Sequence, residues 1–275
     1  MEIITTIAQL RASLRGERAT ALVPTMGNLH EGHLDLLEQA RQHGSCVVAS
    51  IFVNPLQFGP TEDFADYPRT FHSDCAKLDG LADIVFAPKV GEIYPVQQTV
   101  FVEPPPIAMQ LCGTARPGHF RGMATVVLKL LNIVQPQTAL FGKKDYQQLH
   151  IVRQLVAQLD LPVRIVGCET VRAADGLALS SRNQYLGENE RAEAPFLYRL
   201  LQELRLSILH GERNYERMQN LAVEVLAARG WRADYVEVRN MCDLQPACSE
   251  QLVILAAARL GKTRLLDNVE VCLAG

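Results

Sequence analysis

The sequence predicts an α/β fold, with a Rossmann-like parallel sheet domain followed by a smaller α+β domain. Three observations predict it. Through the first half, short Val/Ile/Ala runs alternate with stretches of helical apolar spacing, the pattern of parallel strands covered on both faces. Polar, glycine-bearing segments follow several of those runs directly, where ligands bind on such sheets. Beyond about residue 172 the texture changes to two amphipathic stretches and then three consecutive strand-like runs. The expected domains are therefore 1–172 and 173–275.

Taken in order, residues Ile3–Leu14 carry helical apolar spacing, and Ala19–Val23 reads as a short buried strand. A helix over Gly32–His43 follows, stopped by His43-Gly44. Strands are expected at Cys46–Val53, Ile84–Ala87, Thr99–Glu103, Thr138–Phe141 and Val163–Cys168. Between them, Thr70–Gly80, Arg121–Gln135 and Tyr146–Leu159 read as helices. Ala173-Ala174-Asp175-Gly176 is a turn. The smaller domain has helices over Glu188–Leu209 and Asn214–Arg229, then strands at Trp231–Arg239, Gln251–Leu260 and Thr263–Val271.

A chain of 275 residues with 48% hydrophobic and 21% charged content belongs to the ordinary globular class. A formal net charge of −3 gives no basis for a nucleic-acid surface or an anionic membrane partner. No apolar segment approaches membrane-spanning length, and the start Met1-Glu2-Ile3-Ile4 lacks the pattern of a signal peptide, so a cytoplasmic location is expected. The seven cysteines are widely spaced without Cys-x-x-Cys, which argues against a disulfide framework or zinc ribbon. Cys46, Cys168 and Cys272 lie in apolar runs and read as small core residues.

The segment Pro24-Thr25-Met26-Gly27-Asn28-Leu29-His30-Glu31-Gly32-His33 places two histidines at a strand-to-helix junction. Three residues apart in a first helical turn, their rings project in a similar direction. Backbone N–H groups and the helix dipole favour anions there, and Gly32 lets a flat ring or phosphate approach. The pair alone is equally open to a surface or capping role, and a metal site is a further reading. His-Glu-Gly-His lacks the His-Glu-x-x-His offset of a zincin helix. The glycines and the strand-loop-helix context favour a nucleotide phosphate site.

Three further segments carry chemistry. In Phe52-Val53-Asn54-Pro55-Leu56-Gln57-Phe58-Gly59-Pro60, Asn54 and Gln57 offer amides to a small polar ligand beside apolar walls, or simply order a turn. In Phe141-Gly142-Lys143-Lys144-Asp145-Tyr146-Gln147-Gln148, lysines at a helix start suit phosphate oxygens. Asp145 suits a ribose hydroxyl or an N-cap. No Gly-x-x-x-x-Gly-Lys-Ser/Thr is present, so this is no Walker loop. Leu179-Ser180-Ser181-Arg182-Asn183 offers hydroxyls and a guanidinium suited to outer phosphates. Residues Leu111–Gly122, rich in glycine and cations, read as either an active-site loop or an ordinary surface loop.

In this order the four segments closely resemble the pantothenate synthetase (pantoate–β-alanine ligase) family, part of the nucleotidylyltransferase-like superfamily with a His-x-Gly-His motif. The likeness covers nearly the whole chain, with its motifs between residues 24 and 183. It implies a Rossmann-type domain, a homodimer, and ATP-dependent condensation of pantoate with β-alanine to pantothenate, AMP and pyrophosphate. By position, Met26, Gly27, Asn28, Leu29, His30, Glu31, Gly32 and His33 would form the first wall of the ATP site, with His33 as proton donor. Gly142, Lys143, Lys144 and Asp145 would hold ribose and phosphates, and Val171 would touch adenine. Leu179, Ser180, Ser181 and Arg182 would clamp the phosphates, and Gln57 and Gln148 would bind pantoate. His30, His33, Lys144 and Arg182 are the catalytic set, with Mg²⁺ as the expected metal. Where some family members carry consecutive acids, this chain reads Phe71-His72-Ser73-Asp74, leaving Asp74 as a weak metal candidate. Lys143 stands where an acidic residue is frequent in the family. Two rivals predict different assays: a nucleotidylyltransferase that stops after nucleotide transfer, and a catalytically silent nucleotide sensor.

Overall fold

The computed structural model describes residues 1–17, 19–59, 64–65 and 67–273. Its elements begin β1 (Glu2–Ile4), α1 (Ile7–Ser13), β2 (Thr20–Thr25), α2 (Glu31–Ala40), β3 (Cys46–Ile51), α3 (Phe71–Leu78), β4 (Ile84–Phe86) and α4 (Val90–Ile93). They continue with α5 (Cys112–Ala115), α6 (His119–Val134), β5 (Thr138–Gly142), α7 (Tyr146–Gln158) and β6 (Arg164–Cys168). The chain ends with α8 (Glu188–Glu193), α9 (Phe196–Leu209), α10 (Tyr215–Ala228), β7 (Trp231–Asn240), β8 (Gln251–Leu260) and β9 (Thr263–Cys272).

The first sheet is parallel throughout, in the order β1-β4-β3-β2-β5-β6. Its strands are apolar on both faces because both are covered. From β2, Ala21 and Val23 face a cluster with Leu36 and Leu37 of α2 and Leu78 of α3, while Leu22 joins Leu130 and Val134 of α6 on the opposite face. The chain leaves β2 toward β3 on one side and returns to β5 on the other, so β2 and β5 flank the switch point. A crevice opens at the carboxyl ends of the strands there.

The second sheet is antiparallel, β7-β8-β9. Alternation along β8 explains why this strand is buried on both faces. Leu252, Ile254, Ala256 and Ala258 face α9 and α10, whereas Val253 and Leu255 pack into the core of the first sheet. The small alanines let the helices lie close to the sheet.

Four expectations are corrected. The expected helix Ile3–Leu14 is a strand followed by a helix: Glu2–Ile4 pairs with β4, and Thr6 caps α1 by accepting from the Gln9 N–H. Thr99–Glu103 is not a strand. The Val102 N–H donates to Thr125 Oγ1 (3.1 Å), and Arg121 stacks on Phe101 at 4.2 Å, so the segment lies along α6 and not in the sheet. The expected helix Glu188–Leu209 is broken into α8 and α9 because Pro195 has no N–H to continue the ladder. Cys272 is exposed, one residue past the fully buried Val271, although Cys46 and Cys168 are core residues as expected. Pro60, at the end of the expected Asn54/Gln57 ligand segment, lies outside the described residues.

Candidate functional site

The crevice above β2 and β5 is a cavity of about 960 Å³. The expected residues Met26, His30, Gly32, His33, Gln57, Gly142, Lys144, Asp145, Gln148, Val171, Leu179, Ser180, Ser181 and Arg182 all line it. Five others stand back from its surface: Gly27, Asn28, Leu29, Glu31 and Lys143. Of these, Leu29 is buried beneath the loop and Glu31 is exposed.

The first wall is the loop from β2 into α2. Gly27 (φ 82°) and Asn28 (φ 51°) are both left-handed, turning successive N–H groups toward α3. There Asp74, 1% exposed, accepts from the Asn28 N–H (2.9 Å) and the Leu29 N–H (2.8 Å), and from the Thr70 hydroxyl. One turn on, Lys77 Nζ donates to the Leu29 carbonyl at 2.6 Å. The carboxylate singled out as a metal candidate is thus an anchor whose oxygens already accept from the loop. Among the described residues, no cluster of three His, Cys, Asp or Glu side chains is placed to hold a metal ion.

His30 is the N-cap of α2, and the two histidines lock each other. The Gly32 N–H donates to His30 Nδ1 (3.2 Å), and the His30 N–H donates to His33 Nδ1 (3.3 Å). A Cβ on residue 32 would lie 3.0 Å from His30 Cε1, so the glycine makes room for the folded-back ring. The ring centroids are 4.1 Å apart. Because each Nδ1 accepts, each neutral ring carries its proton on Nε2, the side left for the cavity. Burial, then the charge of Lys144, pushes the His30 pKa down to about 4. Burial, then His30 and Lys144, brings His33 to about 3.

The second wall is the 3-10 turn Lys143–Asp145, between β5 and α7. Its adjacent lysines diverge. Lys144 faces the cavity, while Lys143 turns outward to Glu169 (2.5 Å) and Glu270 (2.9 Å). Shelter from solvent pushes the Asp145 carboxyl up, but Lys144, Arg182, His119 and Arg116 outweigh it and hold it below the usual carboxylate range.

Two amides form the floor. Gln57 is buried, with Oε1 accepting from Asn54 Nδ2 at 3.1 Å and Nε2 against the Met26 sulfur at 3.0 Å. Asn54 is held in turn by Tyr94 OH (2.8 Å) and by the Gly122 carbonyl (3.1 Å), so it orders the turn that presents Gln57. The neighbours Gln147 and Gln148 also diverge. Gln147 donates to the Ile107 and Gln110 carbonyls, leaving Gln148 on the cavity.

The third wall comes off the edge strand β6. A hairpin joins Arg172 to Ala178 and carries Val171 and Leu179, whose backbones pair at 3.0 Å. Beyond it, Ser180 Oγ accepts from the Arg182 N–H, and Ser181 Oγ donates across the cavity to the Asn28 carbonyl at 3.2 Å.

Residues 111–122, read as a single loop, are α5, a turn and the start of α6. They supply two cavity groups not singled out in the sequence. His119 Nδ1 donates to the Gln57 carbonyl (2.8 Å), and Arg116 contacts His119 Nε2 at 3.0 Å. Lys77 and the C-terminal Asn268 and Glu270 are likewise unmarked as site residues in the sequence, and Asp74 is marked only as a weak metal candidate, not as an anchor. Only the three-residue spacing of Asp74 and Lys77, which puts both on one face of α3, was a local signal.

Comparison with known proteins places this architecture. Residues 2–270 match the family model described as Pantoate-beta-alanine ligase. The chain is 58% identical over 274 residues to a pantothenate synthetase of Nitrosospira multiformis, covering 98% of each chain. It is 55% identical over 273 residues to that of Methylobacillus flagellatus, again covering 98% of each. Among solved structures, a pantothenate synthetase from Thermus thermophilus superposes with a TM-score of 0.94 at 44% identity, covering 99% of this chain and 100% of that one. A pantoate-β-alanine ligase from Francisella tularensis, complexed with beta-gamma ATP and β-alanine, matches with a TM-score of 0.82 at 34% identity, covering 98% and 97%.

Proposed function

The chain belongs to the pantoate-β-alanine ligase family and catalyses the ATP-dependent ligation of pantoate to β-alanine; from that premise we propose that the reaction runs through a pantoyl adenylate in the 960 Å³ cavity. The pantoate carboxylate attacks the α-phosphorus of ATP in line and expels pyrophosphate. The β-alanine amine then attacks the acyl carbon and releases AMP. Little covalent chemistry falls to the protein, so positioning and charge neutralisation dominate.

The observation that carries this reading is the convergence of unlike groups on one cavity: the neutral imidazoles of His30 and His33 at a helix N-terminus, the cations of Lys144 and Arg182, and the neutral amides of Gln57 and Gln148. His30 and His33 offer Nε2–H donors beside the helix N–H groups, suited to the α- and β-phosphates. Lys144 and Arg182 approach from the other walls, where charge develops on the departing pyrophosphate. Gln57 and Gln148 suit the hydroxyls and carboxylate of pantoate, since amides both donate and accept. Asp145 suits the ribose hydroxyls and Val171 the base, both from the cavity lining. With pKa values of about 4 and 3, the free histidines act at neutral pH as hydrogen-bond donors; His33 becomes an acid only after bound phosphate raises its pKa.

The described residues offer no ready-made cage for Mg²⁺, and Asp74 is engaged by the loop; the metal accordingly belongs with the ATP phosphates, and no protein step depends on it here. Residues 1–172 and 173–275 act as two domains sharing one site, in a cytoplasmic homodimer. The family resemblance supports the dimer, and sedimentation of the purified protein checks it. A net charge of −3 fits small-molecule substrates as the main partners. Among the described residues, no helix is long and apolar enough to cross a membrane.

The experiment is direct. With ATP, Mg²⁺ and pantoate alone, the protein releases pyrophosphate and retains pantoyl adenylate. Adding β-alanine yields AMP and pantothenate in equal amounts. AMP formation that ignores pantoate, or pantothenate formed without pyrophosphate, refutes the adenylate route.

A further inference from the structure

Lys143 and Lys144 are adjacent and chemically identical, yet only Lys144 enters the cavity, so something fixes which of the two meets the nucleotide. The control lies on β9, distant in sequence. Asn268 is 6% exposed, and its Nδ2 donates both hydrogens, one to the Lys143 carbonyl (2.9 Å) and one to the Lys144 carbonyl (3.0 Å). Two residues on, Glu270 takes the Lys143 ammonium at 2.9 Å and the Tyr146 hydroxyl at 2.9 Å. The preceding Asp267 holds Arg172, at the base of the hairpin carrying the third wall, through contacts of 2.6 and 2.8 Å.

We propose that Asn268 is a positioning residue for the ligase reaction: by pinning two successive carbonyls of the 3-10 turn, it selects Lys144 over Lys143 to face the nucleotide phosphates. A backbone turn clamped at both carbonyls cannot rotate about its axis, and that rotation is the motion that would exchange the two lysines. Glu270 reinforces the choice by holding Lys143 on the outer side. Asp267 holds the base of the third wall from the same strand, so β9 ties the lysine turn to the phosphate clamp in addition to the β5–β6 pairing from which both depart. The inference rests on the assignment of Lys144 to the phosphates.

The test is a double-variant cycle. Asn268→Ala and Asn268→Ser are each made alone and together with Lys144→Ala, and all are compared by thermal melting, ATP dissociation constant, and kcat and KM for ATP and pantoate. The expected result is cooperative melting, an ATP-dependent kcat/KM lowered about 100-fold with the pantoate KM little changed, and no further loss of ATP affinity on the Lys144→Ala background. Asn268 variants with wild-type ATP parameters overturn the proposal. So do losses that add fully to those of Lys144→Ala, or failure of both Asn268 variants to fold, which would make Asn268 a residue of stability alone. Wild-type ATP binding and turnover in Lys144→Ala instead overturns the phosphate assignment, so the two failures are told apart.

Discussion

The histidine wall and the phosphate-clamp wall face each other across one cavity but are built differently. The histidine wall grows from a central strand. Its loop is held from below by Asp74 and Lys77 of α3, and its rings are locked by the N-cap geometry of α2. The clamp wall grows from the edge strand β6 and is held by a hairpin, by Arg172 and by the Ser181–Asn28 hydrogen bond across the cavity. On the proposed roles, the histidine wall is a preformed anion cradle and the clamp wall, on the sheet edge, is the one that adjusts around phosphates. Preorganised donors cost no reorganisation during reaction, whereas a clamp must let pyrophosphate leave.

The sharpest way to break this comparison is to remove a donor from the histidine wall or the charge from the adjoining lysine turn. His33→Ala and Lys144→Ala should fold normally yet lower pyrophosphate release by about 100- to 1,000-fold. Wild-type-like turnover in either purified variant defeats the assignment. Next comes the anchor: Asp74→Ala strands the Asn28 and Leu29 N–H groups and should cost about 3 kcal/mol in urea unfolding, with weaker ATP binding. An unchanged unfolding midpoint would show that the loop holds itself.

The third contrast is protonation. Folded pKa values of about 4 and 3 lie below the ordinary 6.5, so the histidine pair favours folding fully above pH about 6.5, and that contribution is lost as pH falls through those folded values. Ring nitrogen NMR shifts of the free protein should stay constant from pH 8 to about 5.5. A midpoint near 6.5 for either residue removes the neutral-pair reading. On the clamp side, Ser181→Ala should leave melting unchanged and weaken ATP binding about fivefold, the scale of one hydrogen bond. The smallest effect belongs to Lys143→Met: ATP affinity within about twofold of wild type, because its ammonium lies with Glu169 and Glu270. A loss rivalling Lys144→Ala would mean that both lysines reach the nucleotide.

Much of this was legible in the sequence, because the site is made of strand-end segments whose chemistry is local. Pro24–His33, Asn54–Gln57, Gly142–Asp145 and Leu179–Arg182 each carry their own turn residues, and all four reach one cavity. What stayed hidden depends on partners far away in sequence. Neither Asn268 nor Glu270 has a neighbour that marks it, because the groups they hold lie more than a hundred positions earlier. The divergence of Lys143 from Lys144, and of Gln147 from Gln148, is likewise decided by the far side of the fold. The fold misreadings have the same origin. Val100 and Val102 alternate as a strand would, but the sheet edge beside β4 is taken by Glu2–Ile4. The apolar spacing of Ile3 to Leu14 hid the Thr6 cap that splits it.

The contact of Gly122 with the Gln57 turn has a mechanical consequence. A Cβ at residue 122 would fall 1.9 Å from the Leu56 carbonyl oxygen, and Asn54 hydrogen-bonds the Gly122 carbonyl, so α6 and this turn meet backbone to backbone. With no flexible side chain between them, the two move as a single stiff part. Thermal motion that shifts the Gln57 amide must carry a sixteen-residue helix with it, which damps the amplitude at the floor proposed for pantoate.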